Sequence, residues 1–264
     1  MSDLKVTLVQ ADLAWEDPTA NRAAFDQALG AIEGATDLAV LPEMFTTGFT
    51  MNGADWAESM TGPSVSWLRA RAADLKFSIT GSLIIRDGGH LFNRLLWATP
   101  EGRLYTYDKR HLFRMSGEQR VYAAGSEPLT VTMGAWRMRP FICYDLRFPI
   151  WTRNMDNEYD VAIFVANWPA ARAAHWSALL KARAIENQAY VIGVNRVGQD
   201  GNGHAYAGDS VALDPQGRVL FHARDAEIAH TVDLDAAAQE TYRQQFPAWR
   251  DADRPPPIFS PTGQ

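Results

Sequence analysis

Cys143 is the only cysteine in the sequence. It stands where the apolar run Pro140-Phe141-Ile142 gives way to Tyr144-Asp145-Leu146-Arg147-Phe148-Pro149. A lone thiol has no internal disulfide partner and no company for a cysteine metal cluster, which leaves an inert core residue or a nucleophile. Two other stretches tip the balance toward the nucleophile. Leu41-Pro42-Glu43 and Asp108-Lys109-Arg110-His111-Leu112-Phe113 each place a chargeable side chain just after an apolar segment. Singly they are weak signals, since Leu-Pro-Glu reads as a turn and Lys-Arg-His as a surface patch. In the order Glu, Lys, Cys, each at a strand end, they supply a carboxylate, an ammonium and a thiol.

A thiol titrates near 8.5 and must lose its proton to attack a carbonyl. Glu43 is suited to take it, because a carboxylate in an apolar pocket exchanges protons in both directions. Lys109 would face negative charge developing on a substrate oxygen, with the backbone N–H of Tyr144 as a second donor. Losing one such donor costs on the order of 3 kcal/mol of barrier. An activated Cys143 should react with iodoacetamide well below about pH 8.5. Arg147, four residues past the thiol, has the fork geometry to grip a substrate carboxylate, the alternative being a structural salt bridge. Phe45, Phe113, Tyr144 and Trp168 are candidates to wall a compact pocket, and core packing explains aromatics equally well.

These groups need a scaffold that brings distant stretches together. Strand-like runs occur at 4–10, 38–41, 77–86, 91–99, 104–107, 129–133, 136–143, 161–167, 189–195, 209–213, 219–222 and 228–232. Helical patterning falls at 18–32, 63–75, 148–156, 170–186 and 235–244. In the first helix Phe25, Leu29 and Ile32 recur on one face, and Asp17 or Thr19 is placed to cap its start. Asp87-Gly88-Gly89 and Pro215-Gln216-Gly217 read as hairpin turns. Some strands lead into helices and others into hairpins, which argues an α/β layered fold with mixed sheets. The segment 160–166 is almost wholly apolar, as a central strand buried on both faces requires. Glu43, Cys143 and Asn167-Trp168 fall just past strand C-termini, the edge where α/β sheets gather ligands.

Composition narrows the classes. With 25 basic and 31 acidic residues in 264, the net charge of −6 gives no basic stripe for nucleic acid. No run approaches the ~18–20 apolar residues that span a bilayer, and no secretory signal is visible. The single cysteine fits a reducing compartment, so a cytoplasmic location is expected. Six histidines without a His-x-x-x-His spacing give no reason to expect a metal or other cofactor. A polar tail over 247–264, with Pro255-Pro256-Pro257, is expected to be extended beyond a domain of residues 1–246.

Taken together, Leu41-Pro42-Glu43, Lys109-Arg110-His111-Leu112-Phe113 and Ile142-Cys143-Tyr144-Asp145-Leu146-Arg147-Phe148-Pro149 resemble the three motifs of the nitrilase superfamily, the carbon–nitrogen hydrolases. Similarity continues from Val6-Thr7-Leu8-Val9-Gln10 through Ala182-Arg183-Ala184-Ile185-Glu186-Asn187-Gln188 to Asp214-Pro215-Gln216-Gly217. The resemblance implies a four-layer αββα sandwich with outer helices, paired into homodimers or higher oligomers. It implies Glu43 as general base, Lys109 as oxyanion-stabilising cation and Cys143 as nucleophile, with Glu118 as a second glutamate orienting Lys109 or the attacking water. Many relatives carry Gly-His-Ser where this chain has Gly208-Asp209-Ser210, a departure that points to a subgroup resembling the bacterial ω-amidases. There Arg147 would hold the carboxylate of a small 2-oxo acid amide such as 2-oxoglutaramate or 2-oxosuccinamate, with Trp168 and Phe45 beside it.

The same triad would serve a deaminated-glutathione amidase, a carbamoyl hydrolase or a nitrilase. A non-catalytic binding protein would be expected to have lost one of the three side chains. Gly208-Asp209-Ser210-Val211-Ala212 lacks the second glycine of a serine nucleophile elbow, and Gly201-Asn202-Gly203 lacks the rest of a nucleotide fingerprint.

Overall fold

A computed structural model describes residues 3–32 and 36–253. Two mixed sheets lie face to face with helices on their outer faces. The first sheet runs β13-β1-β2-β3-β4-β5, comprising β1 (Leu4–Gln10), β2 (Leu38–Val40), β3 (Ser78–Asp87), β4 (His90–Ala98), β5 (Leu104–Asp108) and β13 (Ile228–Leu234). The second runs β10-β11-β9-β8-β7-β6, with β12 (Val219–Arg224) paired to β11. Its members are β6 (Val131–Met133), β7 (Trp136–Ile142), β8 (Val161–Val165), β9 (Tyr190–Val194), β10 (Val197–Gln199) and β11 (Ala205–Leu213). Parallel pairing is confined to β1-β2-β3 and β7-β8-β9 within the sheets.

Between the sheets, Val6, Leu8, Val40 and Trp97 pack with Met138, Ile142, Ile163 and Val191 in one continuous core. On the far side of the first sheet, Phe25 and Leu29 of α1 (Pro18–Gly30) and Leu68 and Ala72 of α3 (Pro63–Leu75) close a second core over Leu41, Ile79 and Leu83. On the far side of the second, Trp176 and Leu180 of α5 (Ala173–Asn187) press against Gly193, where a Cβ would meet Leu180 Cδ1 at 2.6 Å. Glycine is what lets that helix approach the strand. Short helices α2 (Gly53–Trp56) and α4 (Pro149–Thr152) flank the loops, and α6 (Ala236–Gln245) covers the end where β8 and β9 begin.

Local chemistry accounts for the boundaries. Asp17 caps α1, its Oδ1 accepting from the Thr19 and Ala20 amides, with Pro18 at the first helical position. Gly88 and Gly89, at φ 53° and 81°, make the two-residue turn between β3 and β4. Asp214 accepts from the Gln216 and Arg218 amides and closes the β11–β12 turn.

The helix expected over 148–156 is cut short. After Thr152, Arg153 is extended, and Asp156 and Asn157 both have positive φ. Asn154 draws the chain out of the helix: its amide donates to Asn187 Oδ1, and its side chain exchanges hydrogen bonds with the Tyr159 backbone. In the tail, Ala248–Asp251 form a 3-10 turn, and Pro255-Pro256-Pro257 lies outside the described residues. No described helix is long and apolar enough to cross a membrane.

Candidate active site

β2 in the parallel run of one sheet, β5 two antiparallel steps beyond β3, and β7 and β8 in the parallel run of the other sheet all end at the same edge of the sandwich. Glu43 follows β2, Lys109 follows β5, Cys143 follows β7 and Asn167 follows β8. All four meet. Lys109 Nζ lies 2.8 Å from Glu43 Oε1 and 3.0 Å from Glu118 Oε1, and all three side chains are fully buried. Asn93 of β4 donates to Glu43 Oε1 at 2.7 Å and is held by Ser82, whose hydroxyl donates to its Oδ1. The Asn167 amide donates to Glu43 Oε2 at 2.8 Å, and its side chain to the Glu43 carbonyl at 2.5 Å. One carboxylate therefore takes donors from both sheets and is fixed in place. Glu118, reached through the left-handed Gly117, accepts the Phe113 amide at 2.5 Å.

Cys143 is the partly exposed member of the group. It has φ 43°, the left-handed region that costs a side-chain-bearing residue energy, and it opens a 3-10 turn over Cys143–Arg147. Its Sγ is 4.0 Å from the Asn167 carbonyl. The Tyr144 amide precedes the first hydrogen bond inside that turn, so the turn itself supplies it with no acceptor. The anchor is Asp145, which sequence reasoning passed over. Fully buried, it accepts the Tyr107 hydroxyl at 2.7 Å, the His111 amide and Nδ1 at 2.9 and 2.8 Å, and the Ile142 amide at 3.1 Å. His111, stacked 3.8 Å over Phe148, is thus a support for the turn.

Charges in this cluster do not balance. Burial alone would lower the Lys109 pKa, but Glu118 and Glu43 outweigh it and raise it, so the ammonium persists. Burial raises the Glu118 carboxyl against the pull of Lys109. Burial also pushes the Cys143 thiol well above its ordinary value; Glu43 adds to this by charge and hydrogen bonding, Glu118 by charge, and Lys109 opposes it. Two carboxylates against one ammonium disfavour a third anion. Burial and the neighbouring carboxylates thus favour the thiol form of Cys143 over its thiolate, with Glu43 beside it as acceptor.

A cavity of about 560 Å³ opens over the group. Lys109, Cys143, Asn167, Tyr144, Arg147 and Trp168 line it, together with Phe113, Arg172 and the 200–206 hairpin. Phe45 does not reach it. Met44, at φ 42°, turns the chain so that Phe45 is fully buried in the outer core, edge-on to Phe25 at 5.5 Å and against Trp67. Phe49 takes the wall position. Asp209 sits at a bulge in β11, pairs with His222 Nε2 at 3.0 Å and is not among the lining residues. Among the described residues, no group of three or more histidine, cysteine, aspartate or glutamate side chains is arranged to hold a metal.

Residues 5–244 match the family model for carbon-nitrogen hydrolases. The chain belongs to that family. An omega-amidase of Escherichia coli K12, YafV, is 50% identical over 256 residues, covering 96% of this chain and 98% of the relative. A 2-oxoglutaramate amidase of Bacillus subtilis is 32% identical, covering 93% and 96%. The structure of XC1258 from Xanthomonas campestris, a CN-hydrolase superfamily protein with an arsenic adduct in the active site, is similar with a TM-score of 0.94 and 48% identity over 96% of this chain and 98% of that one. This chain is accordingly a hydrolase acting on carbon–nitrogen bonds.

Proposed function

We propose that the chain hydrolyses a small amide carrying a carboxylate, of the 2-oxoglutaramate or 2-oxosuccinamate type, through a thioester on Cys143. The observation that carries this reading is a buried Glu43–Lys109–Glu118 cluster beside the one thiol, at the floor of a cavity walled by an arginine. The omega-amidase and 2-oxoglutaramate amidase relatives support the substrate class.

In the first step the Cys143 sulfur bonds to the amide carbon while its proton passes to Glu43. The carbonyl oxygen becomes an oxyanion. Lys109 has three N–H donors, two of them engaged by the glutamates, and the third is available to that oxygen together with the Tyr144 amide. The C–N bond then breaks as Glu43 returns its proton to nitrogen, and ammonia leaves. Water adds to the thioester carbon, giving a proton to Glu43. The C–S bond breaks, and sulfur recovers that proton. With burial and the neighbouring carboxylates favouring the thiol form, Glu43 takes the proton as the sulfur attacks, which is general-base catalysis.

Ammonia release from 2-oxoglutaramate, glutamine and an aliphatic nitrile tests the reading. The wild type should favour 2-oxoglutaramate, and Cys143→Ala should release none above background. Equal release by wild type and variant would remove the thiol from the mechanism, and preference for glutamine or the nitrile would remove the substrate class.

A further inference from the structure

The buried arginines among the described residues are all paired with a carboxylate. Arg94, Arg183, Arg196 and Arg243 each sit within 4.0 Å of a carboxylate. The two guanidiniums on the cavity wall do not. Among the described residues, neither Arg147 nor Arg172 has a carboxylate within ion-pair distance, though both are half-buried. Arg147 lies 4.8 Å over the Trp168 ring and donates one Nη2 bond to His175 Nδ1 at 3.0 Å. Arg172, just before α5, lies 5.4 Å over Phe113. An aromatic ring holds the flat face of a guanidinium and leaves the N–H edge for a planar anion.

Nor does the cavity supply its own anion. Asp200 is the one carboxylate on the wall among the described residues, and its oxygens are taken by the Asn202 and His204 amides and the Tyr206 hydroxyl. Glu43 and Glu118 are committed to Lys109. Two fixed cations with idle donors, facing one cavity above a thiol, call for an anion brought in from outside.

We infer that Arg172 is a second specificity-determining residue, gripping with Arg147 the carboxylate at the far end of the substrate and so placing the amide over Cys143. Arg172 lies 25 residues past the Arg147 motif and belongs to none of the three triad motifs. The inference rests on the carboxylate-amide reading above and adds a residue to it. Trp168 joins the two arms: it carries the Arg147 guanidinium, and its Nε1 donates to the Arg172 carbonyl at 2.9 Å.

The test uses succinamate and butyramide, amides of equal carbon count with and without a carboxylate. Arg172→Met removes the charge and keeps an apolar stem over Phe113. It should raise KM for succinamate and lower the succinamate-to-butyramide ratio of kcat/KM on the order of tenfold or more, as expected for a charge-assisted hydrogen bond. Arg172→Lys should restore part of the ratio. Arg147→Met should lower it too, and the double variant should lose less than the product of the single losses, since both arms hold one group. If Arg172→Met weakens both amides equally while Arg147→Met still discriminates, Arg172 is only wall and this inference fails alone. If the wild type shows no preference for succinamate, or no variant alters one, the carboxylate reading itself fails.

Discussion

Two buried ionic clusters lie at opposite ends of the second sheet, and they differ in what they leave unsatisfied. At the start of β8, Asp160 accepts the Arg137 amide, both faces of its guanidinium fork and Arg243 Nη1 at 2.7 Å. Arg243 is held further by the Gln188 and Tyr159 carbonyls. That knot has more cation than anion and no idle acceptor on its carboxylate. At the other end of the sheet, two carboxylates share one lysine, an ammonium proton is spare, and the Cys143 thiol stands in a strained backbone beside them. A closed knot ties α6 to the sheet. An open one has capacity for a reacting oxygen and a travelling proton. Burial and pairing are common to both, so neither property alone marks a site; the surplus charge and the adjoining cavity do.

The largest expected effects separate the two ends. Lys109→Met should lower kcat by ~10²–10³ through loss of an oxyanion donor. It also strands two buried carboxylates, which should cost on the order of 3–5 kcal/mol of stability. Asp160→Asn should cost a similar amount of stability, because Arg137 and Arg243 lose their anion, yet leave kcat/KM of the folded protein within a few-fold. Thermal melting and ammonia release measured side by side check both. A large kinetic loss in Asp160→Asn under conditions where it is fully folded would erase the contrast.

Asp145→Ala should fall next. Four donors lose their acceptor, and the turn that holds Cys143 at positive φ loses its anchor. We expect destabilisation of about 2–4 kcal/mol and at least a tenfold loss in kcat. Asp145→Asn keeps the size and one acceptor oxygen and should recover part of both. Equal deficits in the two variants would mean that the carboxylate's charge, not its shape and bonds, holds the turn.

The contrast also explains what could be read from residues alone. Strand ends are legible because apolar runs stop there, so Glu43, Lys109 and Cys143 stood out at the ends of β2, β5 and β7. The hairpin at Gly88-Gly89 and the Asp17 cap follow from local rules and took the expected form. Asp145, Asn93 and Asn167 were missed as supports because their importance lies mostly in partners 25 to 124 residues away, which no local pattern records. The nearest signal was an aspartate two residues past the nucleophile that turns out to be wholly buried. Phe45 was misplaced for a related reason: two residues past Glu43 suggests a shared cavity, and the turn at Met44 sends it to the opposite layer. β10 escaped notice because it is three residues long and contains Gly198.

The smallest effect is the most diagnostic of charge balance. In the wild type the thiol is pushed up first by burial and then by Glu43, with Glu118 adding and Lys109 opposing. A group raised in this way stays protonated through neutral pH and yields its thiolate only as pH climbs past the ordinary thiol range near 8.5. Alkylation of Cys143 by iodoacetamide, followed by mass spectrometry across pH, should therefore rise late. Glu118→Gln removes one raising charge and leaves Lys109 paired to Glu43, so the rise should move to lower pH and labelling at neutral pH should quicken. Ammonia release should fall at the same time, roughly tenfold, because Lys109 loses a carboxylate that orients it. A faster-labelling but slower enzyme is the signature of a site that trades resting thiolate for a placed proton acceptor. Labelling that is unchanged or slower in Glu118→Gln would show that Glu118 does not bear on the sulfur, and the surplus negative charge would no longer distinguish this cluster from the knot around Asp160.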